Sequence, residues 1–189
     1  MDGETRNLLA AVNCAVIQYR GLYAAWSKEH EISYNEMLVL YTIGEQGFCT
    51  QKQICDSYLL PRQTMNHVIL DLKGRGLLEV SPEHSVGREK AFVLTRAGEI
   101  YAAPLLRSLN EIEQKTVERL GQEHIRALVD RLLAYDRTLQ QAMEEEGQEG
   151  EDVADLHRDA QFFGGGAELQ NFASHGAAGD AGPAHPGPL

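Results

Sequence analysis

Apolar positions along this chain follow a helical period, interrupted once by two short runs of strand character. Val12, Val16, Tyr19, Tyr23 and Trp26 succeed one another at alternating four- and three-residue steps, which predicts one stripe of a long helix over about residues 5–29. Ser33, with Glu36 three residues on, reads as a capping box that opens a second helix. Its apolar set is Met37, Leu38, Leu40, Tyr41 and Ile43, and Gly44 and Gly47 are expected to end it. Thr50 then caps a short helix through Tyr58, with Ile54 and Cys55 facing inward. Pro61 suits the first turn of the next helix, where its missing N–H would be unpaired anyway. Met65, Val68, Ile69 and Leu72 follow at i, i+3, i+4 and i+7 and predict that helix's buried face. Lys73, Gly74 and Gly76 stop it.

Residues 77–81 and 91–94 read as two short strands joined by a polar loop over 82–90 that contains Gly87. Helical periodicity resumes at Thr95 with Ile100, Leu105, Leu106, Leu109 and Ile112; Pro104 is expected to kink this helix or mark its first turns. Gly121 breaks it, and a last helix carries Ile125, Leu128, Val129, Leu132, Leu139 and Met143. The predicted fold class is mainly α, with one β-hairpin and long N- and C-terminal helices, over residues 1–143.

A short helix joined to a second by about three residues is helix-turn-helix spacing. On the second helix Arg62, Gln63, Asn66 and His67 project opposite the apolar stripe, and the stretch from Arg62 to His67 contains no acid. Arg can bond guanine bidentately in the major groove, and Gln or Asn can do the same to adenine. Lys52, Thr64, Lys73 and Arg75 are placed to reach phosphates, and Arg88 and Lys90 in the hairpin loop to reach the minor groove or backbone.

The formal net charge of −11 runs against a nucleic-acid partner until its distribution is read. From Glu144 onward there are ten acids and one base, so this segment carries −9 and residues 1–143 only −2. Residues 144–189, rich in Gly, acid and finally Pro, read as a mostly disordered tail, either solubilising or competing with DNA for the basic surface. No stretch has the roughly 18 consecutive apolar residues of a membrane helix, and the first residues show no basic region followed by an apolar run, so secretion is not expected. Three cysteines with no CxxC pair favour a reducing, cytoplasmic setting over a disulfide framework or zinc.

The segments LPRQTMNHVILDLKGRGLLEV and REKAFVLTRAGE are similar to the recognition helix, first wing strand, second wing strand and following Leu-Thr-x-x-Gly of the MarR family of bacterial transcription regulators. The resemblance runs from about Asn7 to Met143 and implies a winged helix-turn-helix regulator domain over residues 1–143, with a DNA-binding lobe over about 34–98, one β-hairpin wing, and dimerisation helices over about 5–29 and 99–143. Arg88 falls on the family's wing arginine, whereas Val86 stands where an acid usually supports it. The resemblance implies an obligate homodimer with intertwined terminal helices, a palindromic double-stranded DNA site, and repression relieved by a small ligand or by oxidation. The apolar stripe of the first helix fits such a dimer, since exposed patches of that size normally mark an interface.

Tyr19, Tyr23, Trp26, His30, Tyr34 and Tyr41 concentrate aromatic and hydrogen-bonding groups where the family places its effector cleft. They would suit a phenolic or aromatic carboxylate effector, the plainer alternative being core and dimer packing. Cys14 is the candidate for redox sensing, although the residues around it favour a buried, unreactive thiol. Cys49 and Cys55 read as packing residues. His30, His67 and His84 match no metal-ligand spacing, and neither a metal nor a cofactor is expected. No phosphate-cradling loop, nucleophile elbow or metal-ligand helix is present, so an enzyme is not expected. A winged helix used purely for protein–protein contact is the rival to DNA binding.

Overall fold

The computed structural model describes residues 1–149. They form two units, one of residues 1–55 and 60–115, the other of residues 56–59 together with the chain from Thr116. The element order is α1 (Gly3–Glu29), α2 (Tyr34–Gln46), β1 (Cys49–Thr50), α3 (Gln51–Tyr58), α4 (Arg62–Gly74), β2 (Leu78–Val86), β3 (Glu89–Leu94), α5 (Arg96–Leu120) and α6 (Gln122–Glu149). The expected mainly α fold with one wing is therefore present. Among the described residues no helix is long and apolar enough to cross a membrane. α6 runs six residues past Met143, where the folded domain was expected to end, and the rest of the expected tail lies outside the described residues.

Caps set the helix starts. Asp2 Oδ1 accepts the Thr5 N–H at 2.7 Å, and this bond holds the Asp2 carboxyl below its ordinary range. Ser33 Oγ accepts the Glu36 N–H at 3.0 Å. The reciprocal half of that capping box is missing, because the Glu36 side chain is drawn instead to α4 and α5. A complete box forms one helix later. Thr50 Oγ1 accepts from Gln53 N at 3.0 Å, and Gln53 Oε1 accepts from Thr50 N at 3.3 Å.

The core of the first unit is built on α2, where Met37, Leu38, Val39, Leu40 and Ile43 are buried together with Ile54, Cys55, Met65, Ile69, Leu72, Leu78, Phe92 and Leu109. Gly44 lies inside α2 rather than ending it, because a Cβ there would meet Leu106 Cδ1 at 2.8 Å. α5 approaches still more closely at Gly98, where a Cβ would stand 2.0 Å from the Leu77 carbonyl oxygen. Pro104 sits inside α5.

The sheet is three-stranded, in the order β1-β3-β2, all antiparallel. The hairpin is longer than its sequence indicates: residues 82–86 and 89–90, expected in the loop, belong to strands, and only Gly87 and Arg88 turn. Pro82 is accommodated because β2 is an edge strand. The register shifts between Ser81 and Val86, and Ser85 Oγ bridges that irregularity by donating to Ser81 O at 2.6 Å and accepting from Ala91 N at 3.0 Å. Gly87 takes φ +58, which a side chain would resist.

Candidate nucleic-acid interface

α3 and α4 are joined by Leu59, Leu60 and Pro61, the expected three residues. Leu60 is buried, and Gln51 Nε2 donates to Arg62 O at 2.8 Å, tying the start of α3 to the start of α4. With Met65, Ile69 and Leu72 anchored in the core, the opposite face of α4 is free to present side chains. Arg62, Gln63, Asn66 and His67 are all exposed there, while Thr64 is half-buried. The hairpin carries Arg88 at its two-residue tip and Lys90 on β3, both exposed. Thr50 Oγ1 donates to the Glu89 carboxylate, which fastens the hairpin's turn end to the segment that opens α3.

One of the expected phosphate contacts is engaged elsewhere. The Arg75 guanidinium donates to Glu36 at 2.9 Å and to Asp71 at 3.2 Å, and it lies 4.9 Å from the Tyr101 ring centre. Tyr101 Oη donates to the same Glu36 oxygen at 2.9 Å. Burial works against the Arg75 charge, but the bonds to Tyr101, Asp71 and Glu36 outweigh it and hold the guanidinium protonated. Arg75 is therefore a brace between α2, the end of α4 and α5. Lys73 places its ammonium 5.7 Å from the Phe92 ring centre, at the junction of α4 with the sheet. Lys52 on α3 is exposed.

The aromatic residues fall into small groups. Tyr23 Oη donates to Glu113 Oε1 at 2.8 Å and Tyr41 Oη to Glu113 Oε2 at 3.4 Å, so one carboxylate on α5 holds α1 and α2 together. Tyr19 packs edge-on against Tyr23 with centroids 5.2 Å apart. Burial, reinforced by Tyr19 and Glu113, pushes the Tyr23 phenol well above its ordinary range. Trp26 and His30 stack at 4.2 Å, with His30 Nδ1 2.9 Å from Trp26 O. Arg20 lies 5.2 Å from the Tyr34 ring centre, and burial raises the Tyr34 phenol. The Trp26 indole N–H is buried and has no hydrogen-bond acceptor among the described residues.

No protein-family model matches the sequence, and no curated protein matches it. Solved structures do. NMB1585, a MarR family regulator from Neisseria meningitidis, superposes with a TM-score of 0.67 at 29% identity, over 74% of this chain and 98% of that one. This chain has a MarR-like fold. The same fold is shared with NadR, solved in complex with 4-hydroxyphenylacetate, at TM-score 0.53 and 17% identity, over 70% of this chain and 91% of that one. It is shared also with Staphylococcus aureus MarR, in complex with salicylate and kanamycin, at 0.54 and 16%, over 72% and 93%.

Within this MarR-like chain the structure brings Arg62, Gln63, Asn66 and His67 onto one exposed face and sets Arg75 apart from them. Glu113 and Arg20, which hold the tyrosines, had not been singled out. Glu113 sits four residues beyond buried Leu109, so an acid on the apolar stripe of α5 was the available signal. Cys14 is exposed on α1 rather than buried, because no apolar neighbour packs over its side chain among the described residues of the first unit. Cys49 and Cys55 are buried as expected, and burial pushes the Cys49 thiol up to about 12. Val86, at the position of the family's usual acid, is 79% exposed beside the wing tip. His84 stacks on Phe48 at 4.4 Å and bonds Ser81, a packing role.

Proposed function

We propose that this chain is a transcriptional regulator that reads a palindromic DNA operator as a homodimer and releases it when a small aromatic effector binds. The observation that carries the reading is the outward face of α4. A helix anchored by Met65, Ile69 and Leu72 turns Arg62, Gln63, Asn66 and His67 to solvent, with a cation-tipped hairpin following in the chain. Arg62, Gln63 and Asn66 recognise base edges by bidentate bonds, His67 adds a single hydrogen bond, and Arg88 adds a backbone or minor-groove contact. Thr64 and Lys90 supply further polar contacts beside them.

Homodimerisation is supported by the apolar side chains that the terminal helices leave exposed. Leu8, Val16, Ile17, Tyr19 and Leu22 do so on α1, and Leu128, Leu132, Leu139 and Met143 on α6. A two-fold axis would separate the reading helices by one DNA turn or a multiple of it, which is why a palindrome is the expected site.

The effector reading rests on the aromatic groups of α1 and α2 and on the orphaned Trp26 N–H, which a ligand carboxylate or phenol oxygen would satisfy. The proposed class, a phenol or aromatic carboxylate, is supported by structures of this fold solved with 4-hydroxyphenylacetate and with salicylate. Charge reversal separates this function from a winged helix used for protein contact. Arg62→Glu and Arg88→Glu should each abolish operator binding in a gel-shift assay while leaving the dimer intact by light scattering. Retention of full affinity by both variants would refute DNA reading by this surface.

A further inference from the structure

The exposed face of α4 does not end with His67. Gln63, Asn66, His67 and Leu70 stand at i, i+3, i+4 and i+7, the spacing that aligns four side chains of one helix toward a single groove. At about 100° per residue, Leu70 points within about 20° of Gln63 and falls between the directions of Asn66 and His67. It therefore lies on the centre line of the polar face, about 100–160° around the helix from Met65, Ile69 and Leu72 in the core. Leu70 is 55% exposed. Nothing in the packing of the first unit requires an apolar residue there, since Met65, Ile69 and Leu72 already fill the inward side. The only acid of α4, Asp71, is held by Arg75 at 3.2 Å.

We infer that Leu70 is a specificity-determining residue that reads the C5-methyl group of a thymine in the major groove. This rests on the DNA-reading role proposed above and adds the base it selects. The thymine methyl is the apolar group on the major-groove edges of the four standard base pairs, and leucine is its chemical complement. Along the helix axis Leu70 lies about 6 Å beyond Asn66, a distance of nearly two base-pair steps. The operator half-site should accordingly hold a fixed A·T pair about two steps from the base read by Asn66, with its methyl toward α4.

The experiment uses the full-length protein. A preferred site is selected from random duplex DNA, and each thymine in both half-sites is then replaced by deoxyuridine, which removes the methyl and leaves base pairing intact. Affinities are measured by fluorescence anisotropy for the native protein and for Leu70→Ala and Leu70→Gln, whose folding is checked by circular dichroism. One symmetry-related pair of thymines should be sensitive in the native protein, losing about four-fold in affinity for each methyl removed. Both variants should bind the parent site more weakly and lose nothing further when those methyls are removed. The inference is overturned, with DNA reading left standing, if a preferred site emerges but no thymine is sensitive, or if the sensitive pair stays sensitive in both variants. It is equally overturned if the variants alter dimerisation and not the response to deoxyuridine. If no preferred site emerges at all, DNA reading falls and the role of Leu70 with it.

Discussion

Gly98 is the place where the fold tolerates least. A Cβ added there would lie 2.0 Å from the Leu77 carbonyl oxygen, 3.0 Å from its carbonyl carbon and 3.1 Å from Leu94 Cδ2. The obstacle is backbone, fixed on both sides: Leu77 O accepts from Thr95 N at 3.0 Å, and Leu77 N donates to Leu72 O at 2.9 Å. Relieving the overlap means moving α5 or the start of β2 by about 1 Å, a shift that also stretches the Thr95 bond. Overpacking of this kind costs about 3 kcal/mol at the upper end of its range. Against it stands a gain of about 1 kcal/mol, because alanine is the better helix former inside α5. The steric effect wins, and Gly98→Ala should lose about 2 kcal/mol of stability. Urea unfolding at one fixed protein concentration measures this, since the stability of the proposed dimer would depend on concentration. Gly74→Ala, where a Cβ meets nothing within 4 Å, is the control and should be neutral or slightly stabilising. If Gly98→Ala proved as stable as the native chain or more so, the close approach of α5 to Leu77 would be refuted.

The same structure sets three smaller expectations. Arg75→Ala strips a nearly buried carboxylate of its cation and should cost about 1–2 kcal/mol by urea unfolding, whereas Arg96→Ala, from an exposed i,i+3 pair, should change stability by less than about 0.5 kcal/mol; equal effects would deny that Arg75 is a brace. Burial raises the folded-state Cys49 pKa from 9.0 to about 12, so the unfolded chain gives up that proton first and stability, complete below about pH 9, falls as pH rises toward 12. The Cys49 thiol should account for a loss on the order of 1 kcal/mol between pH 7.5 and 9.5, and Cys49→Ala should make the decline shallower by that amount; an unchanged slope would contradict it. Arg88→Ala should make the slope of log affinity against log salt shallower by about 1 for each wing, and an unaltered slope would remove Arg88 from the DNA surface.

What could be read from the residues alone followed from periodicity. Met65, Ile69 and Leu72 announce the inward face of α4, and the same wheel leaves Arg62, Gln63, Asn66 and His67 outside. The hairpin was underestimated because Pro82, Glu83, His84 and Ser85 carry turn-like polarity, whereas an edge strand tolerates Pro82 and the Ser85 hydroxyl supplies the bonds that the shifted register loses. β1 is two residues long, too short for any period to reveal. Arg75 looked like a phosphate contact because its partner Glu36 is 39 residues away and had a local role as a capping acid. Long-range pairing took precedence over both local readings. On α1, Tyr23 and Trp26 are partly covered and Val16 and Tyr19 are exposed among the described residues, a pattern that the proposed homodimer would account for.

The decisive measurement is a genomic selection for DNA bound by the purified full-length protein, followed by a salt titration on the best site. Recovery of a palindrome, with log affinity falling linearly against log salt and both effects lost in Arg62→Glu, is the expected result. Weak binding without sequence preference, equally strong in Arg62→Glu, would contradict operator recognition by α4.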